Sequence, residues 1–288
     1  MITPRLVAAL GVLALVGPGC ADDRPVVDPA PTPVTQTAPP ATRPTDLPPP
    51  PPPAPQPRAT DAADAAFAKI LDDIVTGDGL VRYDRLNDPQ RRSALESVVG
   101  AYAKAALPAD RDTKLALWCN AYNANVLLRV DAARRKPGFD TVVNVPGFFD
   151  DMRITVAGDA MTLNDLENER IRPLGDARIH AALVCAAMSC PPLRAEPYAA
   201  SRLNAQFDDQ CRRWVNDDGK FRVVDGQLGM SRILDWYGVD FETPKYGGPA
   251  GFVRAYAEPN GSIGRFLVTA DPVRTTWLEY DWTLNQAD

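Results

Sequence analysis

The chain has 288 residues, a formal net charge of -6, 29 prolines, five cysteines and one histidine. The length allows one large domain or two small ones. The acidic balance lacks the clustered Lys and Arg that phosphate binding needs, which excludes nucleic acid as a partner. The adjacent pairs Arg91-Arg92, Arg134-Arg135 and Arg212-Arg213 read as solvated helix faces.

Residues 1–20 read MITPRLVAALGVLALVGPGC. Arg5 precedes an apolar run from Leu6 to Val16 that is too short to span a bilayer and has the length of a signal-peptide core. The small residues and Cys20 that follow resemble a bacterial lipoprotein signal, in which the cysteine is lipidated (palmitate) and becomes the new N-terminus. Gly19 fits that pattern, whereas Gly17 and Pro18 depart from it; the alternative is plain secretion with cleavage nearby. On either reading the chain is exported to the cell envelope or periplasm, with a lipid anchor at Cys20 as its contact with the membrane. Residues 21–60 are mainly Pro, Thr and Ala, with six consecutive prolines from Pro48 to Pro53. So few apolar side chains predict a disordered, polyproline-like tether. At about 3.1 Å per residue it would reach on the order of 100 Å.

Globular composition begins near Asp61, predicting one domain over 61–288 that is large enough for a hydrophobic core. A first helix is expected over Asp61–Ile74, stopped by the two glycines of TGDGL, and a second over about Pro89–Lys104. The third, about Thr113–Ala133, carries Leu115, Trp118, Cys119, Tyr122 and Val126 on one stripe and Leu117 and Leu128 opposite, so it should be buried nearly all round. Asn120 and Asn123 on its flank then need specific hydrogen-bond partners. They either tie down neighbouring loops or line a polar pocket.

MRITVAGDAM should form a hairpin, and Thr162 with Asp165 opens a short helix with capping-box spacing. That helix closes at Pro173. Ile179 to Ala186 is apolar apart from His180 and reads as a buried central strand. In a regular strand His180 and Cys185 would point to opposite faces. Cys190, in the loop closed by Pro191-Pro192, or Cys119 from the helix, would then be the cysteine able to meet the imidazole. A helix over about Ala199–Trp214, a second hairpin around Asp225-Gly226, a helix in SRILDWYGVDF and a closing strand in TTWLEYDWTLN complete the reading. The expected class is α+β: a single globular domain of helices packed on a small, mainly antiparallel sheet.

The stretches LWCNAYNANVLLRV, TLNDLENERIRPLGDARIHAALVCAAMSCPPL, GMSRILDWYGVDF and LEYDWTLN, in this order, resemble the DUF547 family, a domain of unknown function. The resemblance runs from about Leu80 to Asn285. Its pattern marks Trp118, Asn120, Tyr122, Asn123, Glu167, Arg172, His180, Cys185, Ser189, Cys190, Pro191, Ser231, Trp236, Asp281 and Trp282; Cys119 stands where the family has an aliphatic residue. The family supplies no established activity.

A buried helix with polar residues, followed later by a strand that starts with His, resembles the layout of papain-like and transglutaminase-like cysteine hydrolases, an analogy at the level of fold. On that plan the catalytic candidates are Cys190 as nucleophile, His180 as base and Asn120 as the orienting group. Cys185 and Cys190 are alternatively a disulfide, since export favours oxidation, or inert thiols. One His and scattered Cys lack the paired spacing of zinc sites, so no metal is expected, and no cofactor is implied. Glu167 and Arg172 pair with each other or with the expected strand, or Arg172 holds a ligand carboxylate. With Asn123, Cys185 and Ser189 they make the binding candidates. Two functions follow. One is a non-catalytic binding or scaffold module of the envelope, whose partner is a peptide, protein or small molecule. The other is a cysteine-hydrolase-like or acyl-transferase-like enzyme using Cys190 and His180.

Overall fold

A computed structural model describes residues 60–287. The expected signal, Cys20 and the Pro-rich tether up to residue 59 lie outside the described residues. Helix α1 (Asp61–Ile74) buries Phe67, Ile70, Leu71 and Ile74 along one face. Helix α2 (Pro89–Lys104) starts at Asp88, whose side chain accepts from Gln90 N, and Pro89 takes the first turn, where no amide hydrogen is needed. Both helices have the bounds expected from sequence. They are tied together where the Tyr102 hydroxyl donates to Asp64 Oδ1 at 2.7 Å.

Helix α3 (Arg111–Arg134) is capped by Asp110, which accepts from Thr113 N at 2.8 Å. Every residue from Leu115 to Leu127 is buried, as the two-sided apolar pattern implied. The β1–β2 hairpin (Ile154–Val156, Asp159–Met161) follows, its turn made by Ala157 and Gly158 at φ 51° and 85°. Thr162 and Asp165 form the full reciprocal capping box of the one-turn helix α4 (Leu163–Asp165). The chain then widens into a π-helical turn, Leu166–Ile171, and stops at Pro173 with Gly175 left-handed at φ 70°.

The stretch expected to be a buried central strand is different. Ile179–Ala182 is a single helical turn, α5, and the chain becomes extended only from Leu183. Two alanines favour helix over strand, and the Asp176 side chain starts the turn by accepting from Arg178 N at 3.1 Å. Ala186 then takes a left-handed φ of 66° and reverses the chain. The argument that His180 and Cys185 face opposite ways therefore lapses, because it required strand pleating.

Helix α6 (Leu203–Val215) precedes β3 (Arg222–Val224) and β4 (Gln227–Met230), an antiparallel pair turned by Asp225 and Gly226 at φ 49° and 70°. Short helices α7 (Ile233–Trp236) and α8 (Gly238–Phe241) come next. Two more, α9 (Pro249–Tyr256) and α10 (Ser262–Thr269), occupy a stretch to which the sequence reading assigned no element. The closing strand is β5 (Thr275–Trp277), parallel to β4 in the register Leu228 to Thr275, so the three-stranded sheet is mixed. The whole is the expected α+β fold in one domain.

Its core falls into two clusters. The larger contains α1, α2 and α3, and the smaller contains Trp214, Phe221, Phe241 and Phe252. Helix α5 sits at their seam, with Ile179 and Ala182 in the first and Ala181 in the second. Tyr280 packs on both.

Candidate functional site

At this seam the described residues form a cleft of about 190 Å³. Helix α3 contributes Tyr122, the π-turn Glu167, α5 and its exit His180, Leu183, Cys185 and Cys190, α7 Trp236, and the C-terminal segment Tyr280 and Trp282. Seven residues marked by the sequence meet here: the candidates Glu167, His180, Cys185 and Cys190, and the family-pattern aromatics Tyr122, Trp236 and Trp282.

His180 is 3% exposed. Its Nε2 lies 2.7 Å from Asp240 Oδ2, and its ring stacks on Tyr237 with centroids 4.3 Å apart. Asp240 also takes a two-pronged bond from Arg172, Nε to Oδ2 at 2.6 Å and a terminal nitrogen to Oδ1 at 2.8 Å. Burial pushes the Asp240 carboxyl up, but hydrogen bonds from His180 and Arg172, with their charges, hold it below the usual carboxylate range. Arg172 therefore pairs with Asp240 and Asn168 and forms no ion pair with Glu167. Its guanidinium lies 4.9 Å from the Tyr237 ring centroid. Asp240 was missed by the sequence reading. The available signal was an acid set between Val239 and Phe241 in an otherwise apolar helical stretch.

Cys185 and Cys190 are joined in a disulfide. The structure thus takes the staple among the alternatives, and Cys190 carries no thiol in this state. The Tyr280 hydroxyl is 3.2 Å from each sulfur. Among the described residues the remaining thiols, Cys119 and Cys211, are buried elsewhere, and burial pushes both well up. Burial, with the nearby charge of Glu167, likewise raises the hydroxyls of Tyr122, Tyr237 and Tyr280, so all three stay protonated. Tyr122 donates to Glu167 Oε2 at 3.4 Å.

The candidates Asn120, Asn123 and Ser189 do not line the cleft. Asn120, 1% exposed, clamps the backbone of Tyr198: its Nδ2 donates to Tyr198 O at 2.9 Å and its Oδ1 accepts from Tyr198 N at 2.8 Å. Asn123 does the same across Ala182 O, at 2.9 Å, and Val184 N, at 3.0 Å. Both asparagines thus tie down loops. Asn123 still serves the site at one remove, because it fixes the chain between His180 and Cys185. The Ser189 hydroxyl accepts from Asp281 N at 2.8 Å and holds the C-terminal segment.

Aromatic rings make the mouth. Trp236 and Trp282 lie nearly parallel, 19° apart with centroids at 5.9 Å, and Tyr280 packs against both. Trp236 is 47% exposed. No group of three or more His, Cys, Asp or Glu among the described residues is arranged to hold a metal ion. No described helix is long and apolar enough to cross a membrane.

An aromatic-walled cleft with an internal disulfide and a buried His–Asp–Arg network defines the site. Residues 107–215 match the model of a family described as a protein of unknown function, DUF547. The match begins just before α3 and ends with α6, and it supports the family resemblance over that span. Asp240, Trp236, Tyr280 and Trp282 lie beyond it. No curated protein and no solved structure matches the chain.

Proposed function

We propose that the folded domain is a non-catalytic binding module of the cell envelope, taking its ligand in the aromatic cleft. The observation that carries this is the Cys185–Cys190 disulfide: it consumes the sulfur best placed to be a nucleophile in the cleft. The hydroxyls beside it are those of tyrosines held protonated by burial. An exposed Trp stacked on a second Trp at the mouth supports binding, since aromatic rings give large contact area at small entropic cost. The signal-like residues 1–20 support export, with a lipid anchor at Cys20 and residues 21–60 as tether.

A second reading is favoured by the His180–Asp240 pair, which has the form of a base held by its orienting carboxylate. In a reduced protein it would serve Cys190 in acyl transfer. Alkylation of the purified protein with iodoacetamide separates the two. The binding reading expects no labelling of Cys185 or Cys190 until a reductant is added. Rapid labelling of Cys190 in the untreated protein, slowed in His180→Ala, would overturn it, because a neighbouring imidazolium is what lowers a thiol pKa.

A further inference from the structure

Glu167 is the one carboxylate among the cleft's lining residues, and no Lys or Arg lines it. The other acid nearby, Asp240, is already matched by Arg172 and His180. Glu167 has no such match: no described residue forms an ion pair with it. It accepts hydrogen bonds from the neutral hydroxyls of Tyr122, at 3.4 Å, and Tyr237. It is half-buried, on the π-turn, facing a space walled by the rings of Tyr122, Phe149, Trp236, Tyr237, Tyr280 and Trp282. A carboxylate drawn partly out of water is costly without a counter-charge. Here the nearest help is the charge of Arg172, which is spent on Asp240 and forms no ion pair with Glu167.

The walls are suited to a counter-charge. An aromatic ring carries negative charge on its face, so several rings around a small space attract a cation, best when the cation is weakly hydrated and itself apolar at its edge. A neutral sugar would also stack on Trp236, but it would leave Glu167 unmatched and needs more hydrogen-bonding groups than this largely apolar wall offers. An anion would meet Glu167 directly. A space of about 190 Å³ admits a head group rather than a large molecule.

We infer that the cleft binds an organic ammonium cation carrying alkyl groups, with Glu167 as its counter-ion and the faces of Trp236, Tyr280 and Trp282 as its cage. This rests on the binding reading above. It goes further by naming the charge, the size and the chemistry of the ligand. Such a group is found on small amines, on modified side chains and on lipid head groups; the recognising chemistry is common to all.

The test is calorimetric titration of the full chain with choline, and with 3,3-dimethyl-1-butanol, which has choline's shape without its charge. Choline should bind, and the neutral analogue should bind about tenfold more weakly or worse. Glu167→Gln should weaken choline by about tenfold or more and leave the neutral analogue unchanged. Trp236→Leu, at an exposed position where the fold is least at risk, should weaken choline as well, so the inference survives a Glu167 variant that misfolds. Equal affinity for the two probes, an unchanged Glu167→Gln, or no heat with choline up to about 100 mM would overturn it. None of these results touches the disulfide. The binding reading fails separately, on the alkylation experiment.

Discussion

Asn120 and Asn123 spend their side chains chiefly on backbone, Asn120 with one further long bond to Asp64 Oδ1 at 3.4 Å. Each amide both donates to a carbonyl and accepts from an amide nitrogen of one passing segment, which holds an irregular chain in register as a strand would. Replacement by Leu strands one donor and one acceptor in the core, so either variant should lose about 1–3 kcal/mol in urea unfolding. A change within about 0.5 kcal/mol, typical of surface positions, would contradict this. Asn123→Leu should in addition loosen the segment between His180 and Cys185, which Asn120→Leu should not. Asp240 makes a different prediction. Its carboxyl titrates below its ordinary value of 3.8 in the folded chain, so the unfolded chain takes up a proton first as the pH falls. Its stabilising contribution is complete above that ordinary value and is lost as the pH drops toward the folded one. Between about pH 5 and pH 3 the wild type should therefore lose stability more steeply than Asp240→Asn, read from thermal midpoints. Parallel curves would count against the His180–Asp240–Arg172 network.

Short elements carry the site, and none would persist alone. Helix α5 is one turn, and α7 and α8 are four residues each. Helices of that length are stable only through packing. The link from α5 to the C-terminal segment is instead held by the left-handed Ala186, by Met188 N donating to Thr283 O at 2.8 Å, and by the disulfide. Closing so short a loop removes modest freedom from the unfolded chain, about 2 kcal/mol. Adding reductant, or replacing both Cys185 and Cys190 by Ala, should lower stability by about that amount in denaturant titrations. A protein indifferent to reductant would argue against the bond. The turn before the short 3-10 helix Tyr83–Asn87 is similarly exacting. Gly79 has φ 86°, and a Cβ there would fall 2.3 Å from Pro192 Cβ, so the second glycine of TGDGL does more than stop α1. It lets the loop lie against the exit of the disulfide segment, where Leu193 N donates to Gly79 O at 3.1 Å.

At the scale of the molecule, the folded domain and residues 1–59 pose separate questions. If residues 1–20 are a lipoprotein signal, the full chain made in a bacterium should partition with membranes, and Cys20→Ala should release it or block its processing. Unchanged partitioning, with a mature N-terminus elsewhere, would leave plain secretion. Much of the domain was legible in sequence because the information was local. Asp88-Pro89 and the TGDGL stop bound α1 and α2, Thr162 with Asp165 makes the capping box, and Asp225-Gly226 makes the turn of β3 and β4. The apolar stripes of α3 announced its burial, and burial in turn required that Asn120 and Asn123 be satisfied. The sequence by itself determined these elements, the α+β class and the candidacy of Glu167, His180, Cys185 and Cys190. Only the tertiary structure decided what those residues face. A largely apolar octet with three alanines satisfies a strand and a helical turn equally, and packing at the seam of two core clusters chose the turn at α5. That choice brought His180 to the same cleft as the disulfide. Long-range pairing decided the rest, since Arg172 lies 68 residues from Asp240 and Cys190 lies 90 from Tyr280. No periodicity in a chain encodes a partner at that distance; only the folded contacts do.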